Sequence, residues 1–499
     1  MSWQNTWKLV KSDYLKLVVI LALAFYVAFI PHLRYYYAMH IDDWMHIAYS
    51  KAILHAGDVY FPDVFPDSSS GMGNLLEVGY NLMLGVFQRL SGISWMDISR
   101  YFPSIIFVIT VLSVYMFAER MGFGWEAAFF TALIPTTVGI LGPAFLVPVA
   151  IGLTFIPLLL WMVLSLRTMW SYLVLCIFIA FLMILHAPSA LLMIMILGSY
   201  SLLGLRHDLK HSLWVIVAIV VPFLVTLPWT LSRILPQAMS LFVQKPLPAY
   251  VDLPSILRDY GYLPVIIGLL GTFVLVIRGS WKNYGLVTGL LVLLVMLSGF
   301  YTFHYGISLL YERGLLFAML MMSIVAGAGL RELWKLELPW LNAIKLRKPR
   351  IIQATGTFLC LTVIGATLAV TIPDRQAIPY YYMIDKYDYE AFVWIRDNVD
   401  LNRQKAVLDP WKATAFTVLT EKSVYNRIFQ VPTAASEEAY DFIRSGSANI
   451  TFLLDNGISI IYTRVYEWKQ GQNVEYGVVN PDFVEVRKDI YVLKEKGTQ

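Results

Sequence analysis

Two adjacent carboxylates and a histidine follow the first long apolar run of the chain. The segment reads His40-Ile41-Asp42-Asp43-Trp44-Met45-His46. Paired carboxylates at a membrane interface cost desolvation and mutual repulsion that fold stability does not require, so they are functional candidates. In a helix, His46 would lie about one turn from Asp42 and Asp43 and could orient a carboxylate or contact a substrate. The alternative is a solvated helix cap, where Asp is also favoured.

A second polar group opens a late apolar run, at Tyr311-Glu312-Arg313-Gly314. The planar fork of donors on Arg313, beside Glu312, is suited to binding a lipid phosphate. The alternative is an arginine that reaches toward lipid headgroups and takes no part in chemistry.

The composition indicates a membrane protein with a water-soluble end. The chain has 499 residues, of which 58% are hydrophobic and 14% charged, whereas about a quarter are charged in a typical soluble protein. Residues 374–499 hold 33 of the 72 charged residues. We therefore expect a transmembrane module over 1–373 and a soluble domain over 374–499. The net charge of +4 is small, which argues against nucleic acid as a partner.

Membrane crossing requires helices of roughly 20 apolar residues, and about eleven runs qualify. They are 17–33, 101–118, 125–141, 146–165, 170–185, 189–205, 212–231, 262–278, 285–301, 312–330 and 351–372. The run at 74–93 contains Glu77, Asn81 and Arg89, which favours a helix at the membrane surface over a span.

The positions of Lys and Arg predict the orientation. If 74–93 does not cross, the basic N-terminus, most short basic loops and the basic stretch 331–350 all lie on one side. We therefore expect a cytoplasmic N-terminus in the plasma membrane. The extracytoplasmic side then receives a long first loop over 34–100 and the C-terminal domain.

This topology places six of the eight histidines on the extracytoplasmic side, which suggests a polar cavity there. They are His32, His40, His46, His55, His186 and His304. The chain has no HExxH motif, so the histidines alone do not predict a metal site. For each of them a structural or interfacial role is the alternative.

Residues 374–499 have the pattern of a small α/β domain. Caps predict helices after Asp385, after Ser436 and before Asn456-Gly457. Short β-like runs follow at 406–408, 458–463, 483–486 and 490–493.

The arrangement resembles the GT-C superfamily of integral membrane glycosyltransferases, which use polyprenyl-phosphate (dolichol-type) sugars on the outer face. It is distantly similar to oligosaccharyltransferase catalytic subunits and protein O-mannosyltransferases. The resemblance covers nearly the whole chain and implies that Asp42 is the general base. It also implies that Arg313, at the start of a late span, contacts the donor phosphate. The stretch from Leu75 to Pro103 resembles the amphipathic helices and second-span start of these enzymes.

Two motifs depart from the oligosaccharyltransferase pattern. The second outer loop, where those enzymes carry an acidic metal-binding motif, reads Gly139-Ile140-Leu141-Gly142-Pro143-Ala144-Phe145 and has no acid. We therefore expect no obligatory cofactor, and a divalent metal has no support in these residues. The sequon-reading motif would fall near Val407-Leu408-Asp409-Pro410-Trp411, which does not reproduce it, so transfer to Asn in peptides is not supported.

The resulting prediction is a cell-envelope glycosyltransferase that moves a sugar from a polyprenyl-phosphate donor to a hydroxyl of a glycan, lipid or protein acceptor. The polyprenyl phosphate that leaves the anomeric carbon needs little protonation, so one base that deprotonates the acceptor hydroxyl is enough, and in-line attack would invert the anomeric centre. Asp43 and His46 would orient the base or acceptor, and Arg313, with His304 or His186, would hold the phosphate. The alternatives are a transporter or flippase of lipid-linked sugars, and a non-catalytic assembly subunit with this fold.

Overall fold

The structure is a computed structural model. It describes residues 13–61, 63–65, 77–137, 139–165, 167–229, 231–232, 235–240, 242–243, 252–335, 349–378, 382–400, 402–428, 432–467 and 470–494. The chain forms two compact units. The first comprises Met1–Tyr36, Leu75–Tyr80 and Asp97–Tyr380, and the second comprises Tyr37–Asn74, Asn81–Met96 and Tyr381–Gln499. This grouping places much of the first loop with the C-terminal residues, whereas the sequence-based division at 373 remains a prediction.

The first unit is helical, apart from one short antiparallel pair of strands. Its helices are α1 (Asp13–Phe29), most of α4 (Trp95–Glu119), α5 (Gly124–Thr131), α6 (Pro148–Ser165), α7 (Met169–Leu185), α8 (Ala187–Gly204), α9 (Leu209–Trp229), α10 (Leu235–Ser240), α11 (Ser255–Tyr260), α12 (Tyr262–Ile277), α13 (Trp281–Phe303), α14 (Ser308–Lys335) and α15 (Pro349–Ala377). A 3-10 turn at Ile30–Leu33 follows α1, and β1 (Phe242–Val243) pairs with β2 (Gly306–Ile307).

Eight helices of the described residues are long and apolar enough to cross a membrane. They begin at Asp13, Trp95, Pro148, Ala187, Leu209, Trp281, Ser308 and Ala354. Two shorter apolar helices, Met169–Leu185 and Tyr262–Ile277, occupy predicted spans. The chain therefore has the architecture of an integral membrane protein, although the predicted number of about eleven spans is not confirmed.

The predicted span at 125–141 does not form one helix. Helix α5 ends at Thr131, and the described residues of 132–147 are turns and irregular backbone that are almost entirely buried. Side-chain and turn hydrogen bonds stabilise this segment: the Ala144 backbone N–H donates to Thr136 Oγ1 at 2.9 Å. Irregular backbone is tolerated at membrane depth when protein surrounds it. The apolar composition of 125–141 therefore predicts correctly that the segment is buried, but the prediction that it forms one helix is wrong.

Helix α14 forms the centre of the first unit, and its apolar window is buried throughout. It packs against α5, α12, α13 and α15. Glycines allow the closest approach, because a Cβ on Gly329 would lie 2.9 Å from the backbone nitrogen of Gly271 in α12. Small residues at a crossing let two membrane helices pack backbone to backbone. The central helix is thereby held on several sides.

The second unit is an α/β arrangement. Its helices are α2 (Ile41–Ala56), residues 81–91 of α3 (Val78–Ser91), α16 (Lys386–Asn398), α17 (Ala413–Thr420), α18 (Ala434–Arg444) and α19 (Ile450–Asp455). Its strands are β3 (Lys405–Val407), β4 (Ser423–Val424), β5 (Ile460–Tyr462), β6 (Arg464–Glu467), β7 (Gln472–Glu475), β8 (Phe483–Arg487) and β9 (Ile490–Leu493).

A five-stranded mixed sheet has the order β4-β3-β5-β9-β8. The first three strands are parallel, and β9 pairs antiparallel with both of its neighbours. Strands β6 and β7 form a separate hairpin. Helix α18 packs its apolar face over this sheet, with Ile443 and Phe442 in the same buried cluster as Val407 and Ile461.

The three C-terminal helices predicted from caps are confirmed. Asp385 accepts a hydrogen bond from the Asp388 backbone N–H at 2.9 Å and caps α16. Helix α18 begins after Thr433, slightly before the expected Ser436, and α19 ends at Asn456-Gly457. The four predicted strand runs correspond to β3, β5, β8 and β9. Strand β4 and the β6–β7 hairpin were not predicted, because their sequences are short and polar.

A buried ion-pair network lies at the start of α16. The Asp388 carboxylate is fully buried and accepts hydrogen bonds from Lys412 Nζ at 2.9 Å, Arg464 Nη1 at 2.9 Å and Tyr462 OH at 2.6 Å. Arg464 also holds Asp385 through two donors, at 2.7 and 2.6 Å. Each buried charge therefore has an opposite charge in contact, which offsets the cost of its desolvation.

Candidate functional site

The acidic pair lies at the N-terminus of α2, in the second unit. His40 is the N-cap residue, and its Nδ1 accepts the backbone N–H of Asp42 at 3.2 Å. Asp43 is 1% exposed. Its carboxylate accepts hydrogen bonds from the backbone N–H groups of Met39 at 3.1 Å and His40 at 3.2 Å. This is a capping box, in which two side chains satisfy backbone donors that a helix start leaves unpaired. Asp43 therefore has a clear structural task.

Asp42 has a different environment. Its side chain is 16% exposed, and its Oδ2 lies 3.7 Å from His40 Nδ1. Within the described parts of the chain, no hydrogen bond to this carboxylate is found and no Lys or Arg lies within ion-pair distance. The backbone N–H groups at the start of a helix stabilise a negative charge placed there. In the described structure Asp42 is thus a partly exposed carboxylate that accepts no hydrogen bond.

His46 is buried one helical turn after Asp42 and Asp43. Its Nδ1 lies 2.9 Å from Oδ1 of Asn81, in the part of α3 that belongs to the second unit. This bond fixes the ring and identifies Asn81 as a residue of the site, although its sequence context predicts only a polar surface helix. A polar residue inside an otherwise apolar run was the available signal.

Arg313 lies near the start of α14, in the first unit. The helix begins at Ser308, so Arg313 occupies its second turn and not its first residues. Its side chain is 9% exposed, and Nη1 is 3.8 Å from Glu312 Oε2. In the described residues this Nη1 has no hydrogen-bond acceptor. Stacking of Tyr311 on Phe300, with ring centroids 4.7 Å apart, fixes this turn against α13.

His186 occupies the break between α7 and α8. It ends the first helix and caps the second, with Nδ1 2.6 Å from Ser189 Oγ. Its Nε2 lies 3.6 Å from Oε1 of Glu77. Glu77 was not among the predicted site residues, because its run was interpreted only as a surface helix.

His304 ends α13 in the left-handed conformation, with φ of 49°. Its backbone N–H donates to Phe300 O at 2.7 Å. Left-handed backbone is uncommon for residues other than Gly and Asn, and it is tolerated here as a helix C-cap. His304 and Arg313 thus lie on either side of the turn that joins α13 to α14.

The predicted residues fall in different units. Asp42, Asp43 and His46 belong to the second, whereas His186, His304, Glu312 and Arg313 belong to the first. Each group is organised within its own unit by local caps and ion pairs.

The described residues do not fit a metal centre. No group of three or more His, Cys, Asp or Glu side chains that could hold an ion is found among them. Asp43 is engaged with backbone donors, and the second-loop segment 139–147 brings only apolar side chains and backbone. A catalytic divalent ion normally has several oxygen or nitrogen ligands from the protein.

Comparison with known structures shows the fold. The chain is similar to the oligosaccharyltransferase AglB of Archaeoglobus fulgidus in complex with an inhibitory peptide and a dolichol-phosphate, with a TM-score of 0.61 and 12% identity over 93% of this chain and 70% of that one. A structure of the same archaeal enzyme tethered to an acceptor peptide with an NVT sequon gives a TM-score of 0.61 at 11% identity, covering 91% of this chain and 69% of that one.

The arabinofuranosyltransferase AftD from Mycobacteria is also similar, with a TM-score of 0.60 and 14% identity over 96% of this chain and 40% of that one. AglB and AftD are GT-C membrane glycosyltransferases, so the chain has the GT-C fold. No protein-family model and no curated protein sequence matches the chain.

Proposed function

We propose that the protein is a membrane glycosyltransferase that moves a sugar from a polyprenyl-phosphate donor to an acceptor hydroxyl. The observation that carries the proposal is the contrast inside the acidic pair. The Asp43 carboxylate caps the helix by accepting two backbone N–H groups. The Asp42 carboxylate is partly exposed and accepts no hydrogen bond among the described residues. The fold supports this class of chemistry, because the similar structures include an oligosaccharyltransferase in complex with a dolichol-phosphate and an arabinofuranosyltransferase.

Asp42 acts as the general base in this proposal. Its carboxylate removes the proton of the acceptor hydroxyl as the oxygen attacks the anomeric carbon, and the bond from that carbon to the phosphate oxygen breaks. The phosphate leaves with its negative charge and needs no proton, so no catalytic acid is required. Attack opposite the leaving group inverts the anomeric configuration. His46, held by Asn81, is proposed to orient the acceptor.

Arg313 is proposed to bind the donor phosphate. A buried guanidinium with an N–H that lacks an acceptor in the described structure is costly unless a ligand satisfies it. A phosphate supplies acceptor oxygens and a negative charge for the guanidinium. The arginine in turn stabilises the negative charge that develops on the leaving phosphate. The roles predicted for Glu312, His304 and His186 beside the phosphate remain predictions.

The acceptor is a glycan, lipid or protein hydroxyl in this proposal, and peptide asparagine is not favoured. The motif that would have to read a sequon contains Asp409, which is fully buried and accepts hydrogen bonds from Tyr440 OH at 2.8 Å and the Tyr466 N–H at 2.9 Å. Burial raises the pKa of Asp409. This carboxyl group is buried and hydrogen-bonded within the domain, so it is not exposed for binding a peptide.

A transfer assay tests the function. Purified protein would be incubated with a panel of polyprenyl-phosphate sugars and simple glycoside or lipid acceptors, and product formation and anomeric configuration would be measured. We expect transfer that persists in a chelator and yields inverted product. Absence of transfer with every donor, together with transport of a lipid-linked sugar across vesicles, would support the transporter alternative instead.

The orientation is tested separately. We propose that the N-terminus is cytoplasmic and residues 382–494 lie outside. Single cysteines replacing Tyr250 and Ile450 should then react with an impermeant reagent on intact cells, and one replacing Trp340 only after permeabilisation. Labelling of the Ile450→Cys variant from the cytoplasmic side would contradict this topology.

A further inference from the structure

Three polar side chains with unpaired atoms lie together where α5 packs against the end of α14. Arg331 Nη1 donates to Glu126 Oε1 at 3.0 Å, and Trp125 precedes Glu126 in the first turn of α5. In the described structure Glu126 Oε2, the Trp125 indole N–H and the Arg331 Nε–H have no hydrogen-bond partner. Glu126 is fully buried and Trp125 is 5% exposed. An unpaired buried polar group costs free energy, so three in one cluster indicate a ligand.

A lysine and a second tryptophan complete this cluster. The rings of Trp125 and Trp334 pack edge to face, with centroids 5.7 Å apart, and Trp334 follows Arg331 by about one turn of α14. Lys16 of α1 lies over both rings, with Nζ 4.8 Å from the centroid of Trp125 and 5.4 Å from that of Trp334. Two aromatic faces therefore hold one cation in place beside the unpaired groups.

The cluster lies at the opposite end of α14 from Arg313. Arg331 follows Arg313 by 18 positions, which is about 27 Å along the axis at roughly 1.5 Å per residue. This distance is close to the thickness of the hydrocarbon layer, roughly 30 Å. If Arg313 lies at one membrane interface, the cluster therefore lies at the other, far from the acidic pair and from the proposed phosphate contact.

The surroundings of the cluster are those of a lipid-facing surface. Helix α1 is one of the helices that are long and apolar enough to cross a membrane, and its residues Tyr14 and Val18 are exposed on either side of Lys16. The charged side chains at the edge of the cluster are also accessible, because Lys16 is 28% and Arg331 31% exposed. A lipid headgroup can therefore reach the cluster from the membrane interface.

The unpaired groups define the chemistry of the ligand. Lys16, Arg331 and the Trp125 indole supply donors and positive charge, which suit a phosphate. Glu126 Oε2 would repel a phosphate and requires a hydrogen-bond donor, which must come from another part of the same molecule. We propose that the cluster binds a phospholipid whose headgroup joins its phosphate to an ammonium or hydroxyl group. The phosphate contacts the three donors, and the ammonium or hydroxyl group donates to Glu126.

Short-chain phospholipids test this site, because their headgroups differ in one property. Phosphatidylethanolamine and phosphatidylglycerol carry an N–H or O–H donor, whereas phosphatidylcholine has the phosphate without such a donor. Their affinities, at equal acyl-chain length, would be measured calorimetrically with the full chain in detergent. For wild type we expect at least one of the first two to bind roughly tenfold or more tightly than phosphatidylcholine, as charged hydrogen bonds permit.

Glu126→Gln should remove this preference. The amide oxygen still accepts from Arg331, but the amide N–H groups take the place of the unpaired carboxylate oxygen. The affinity for phosphatidylcholine should persist, which also shows that the fold is intact. Glu119→Gln is the matched control, because Glu119 is an exposed carboxylate at the end of α4. This variant should keep the wild-type preference.

Trp125→Phe tests the phosphate end of the site. The phenylalanine keeps an aromatic face for Lys16 but loses the indole N–H, so affinity for all three lipids should fall by roughly two- to tenfold. Trp170→Phe, at an exposed tryptophan in the first turn of α7, should bind as wild type does. Neither change touches the ion pair of Glu126 with Arg331, so this comparison decides the question if Glu126→Gln does not fold.

The outcomes either support or overturn the proposal. Equal wild-type affinity for the three lipids would overturn it and assign the unpaired groups to bound water. A preference that Glu126→Gln retained, or that Glu119→Gln lost equally, would also overturn it, because the preference would then arise elsewhere. Equal binding by Trp125→Phe and Trp170→Phe would overturn the phosphate contact. None of these measurements uses a glycosyl donor, so their result is independent of the proposed function.

Discussion

Helices α2 and α16 begin with the same device but different electrostatics. Each has a capping box with Asp at the third helical position, Asp43 in one and Asp388 in the other. At α16, Lys412 and Arg464 contact the buried carboxylate, and Arg464 also binds Asp385. At α2, no Lys or Arg in the described structure reaches Asp42, whose nearest basic group is His40 at 3.7 Å. Compensated carboxylates stabilise a fold, whereas an uncompensated, accessible one is available for chemistry.

The largest expected effect is on stability at α16. Lys412→Met removes a cation that is 1% exposed and leaves Asp388 with part of its charge unbalanced, so we expect a loss of about 3 to 5 kcal/mol. Thermal unfolding in detergent measures it. The control is Lys386→Met, at an ion pair whose lysine is 85% exposed, where we expect little change. Equal stability of the two variants would refute the assignment of Asp388 to a structural network.

The next effect is on catalysis at α2. Asp42→Asn keeps the shape of the side chain but cannot accept a proton, so transfer should fall roughly a hundredfold or more while donor binding and thermal stability persist. Asp43→Asn should instead lower stability by about 0.5 to 2 kcal/mol through the weakened cap and reduce turnover less. Turnover and unfolding midpoints would be measured for both.

The opposite result would reverse the comparison. If Asp43→Asn abolished turnover and Asp42→Asn did not, the roles within the pair would be exchanged. If neither variant changed turnover, the acidic pair would not contain the base and the proposed mechanism would be wrong.

A smaller effect is expected for the phosphate-binding group of the first unit. Arg313→Lys keeps the charge but loses the planar fork, and Arg313→Ala loses both, so donor affinity should fall by about 1.5 to 3 kcal/mol in the alanine variant and less in the lysine variant. Affinity for a bare prenyl phosphate is the measurement. Unchanged affinity in both variants would assign Arg313 to headgroup contact alone.

The smallest effect is a pH dependence of stability at α16. Burial acts to raise the pKa of Asp385, but hydrogen bonds from Arg464 and from the Asp388 backbone outweigh it and lower the pKa to about 2. Because the folded pKa is below the unfolded value of 3.8, this stabilisation is present above the unfolded value and is lost as pH falls through about 2.

The side chain is 44% exposed, so solvent screening limits the contribution to under about 1 kcal/mol. Asp385→Asn should flatten this part of an acid unfolding curve. An identical curve for wild type and the variant would show that the ion pair with Arg464 does not stabilise the fold.

Features that depend on residues close together in the sequence could be predicted, whereas features that depend on distant contacts could not. The cap at Asp385 and the end of α19 at Asn456-Gly457 depend on residues within one or two turns, and both were predicted. The sequence position of Asp42 and the resemblance to GT-C glycosyltransferases also predicted a functional role for this residue. The structure added the distinction from Asp43, because only the folded geometry shows which carboxylate the backbone N–H groups of Met39 and His40 engage.

Other contacts had no local signal. Asn81 contacts His46 from 35 positions away along the chain, and Glu77 lies 3.6 Å from His186, which is even farther away along the chain. Both residues had been noted only as polar interruptions of the 74–93 run. A side chain that acts through a distant partner looks in the sequence like any surface polar residue.

Composition and local order along the chain therefore determined that this protein is a helical membrane protein with an α/β C-terminal part, since apolar length, caps and β-like runs are properties of short segments. Tertiary structure alone decided which charges are paired and where an apolar run stops being a helix. The run at 125–141 has the hydropathy of a span, but α5 ends at Thr131. Surrounding helices bury the irregular backbone that follows and side chains such as Thr136 bond to it, which hydropathy does not encode.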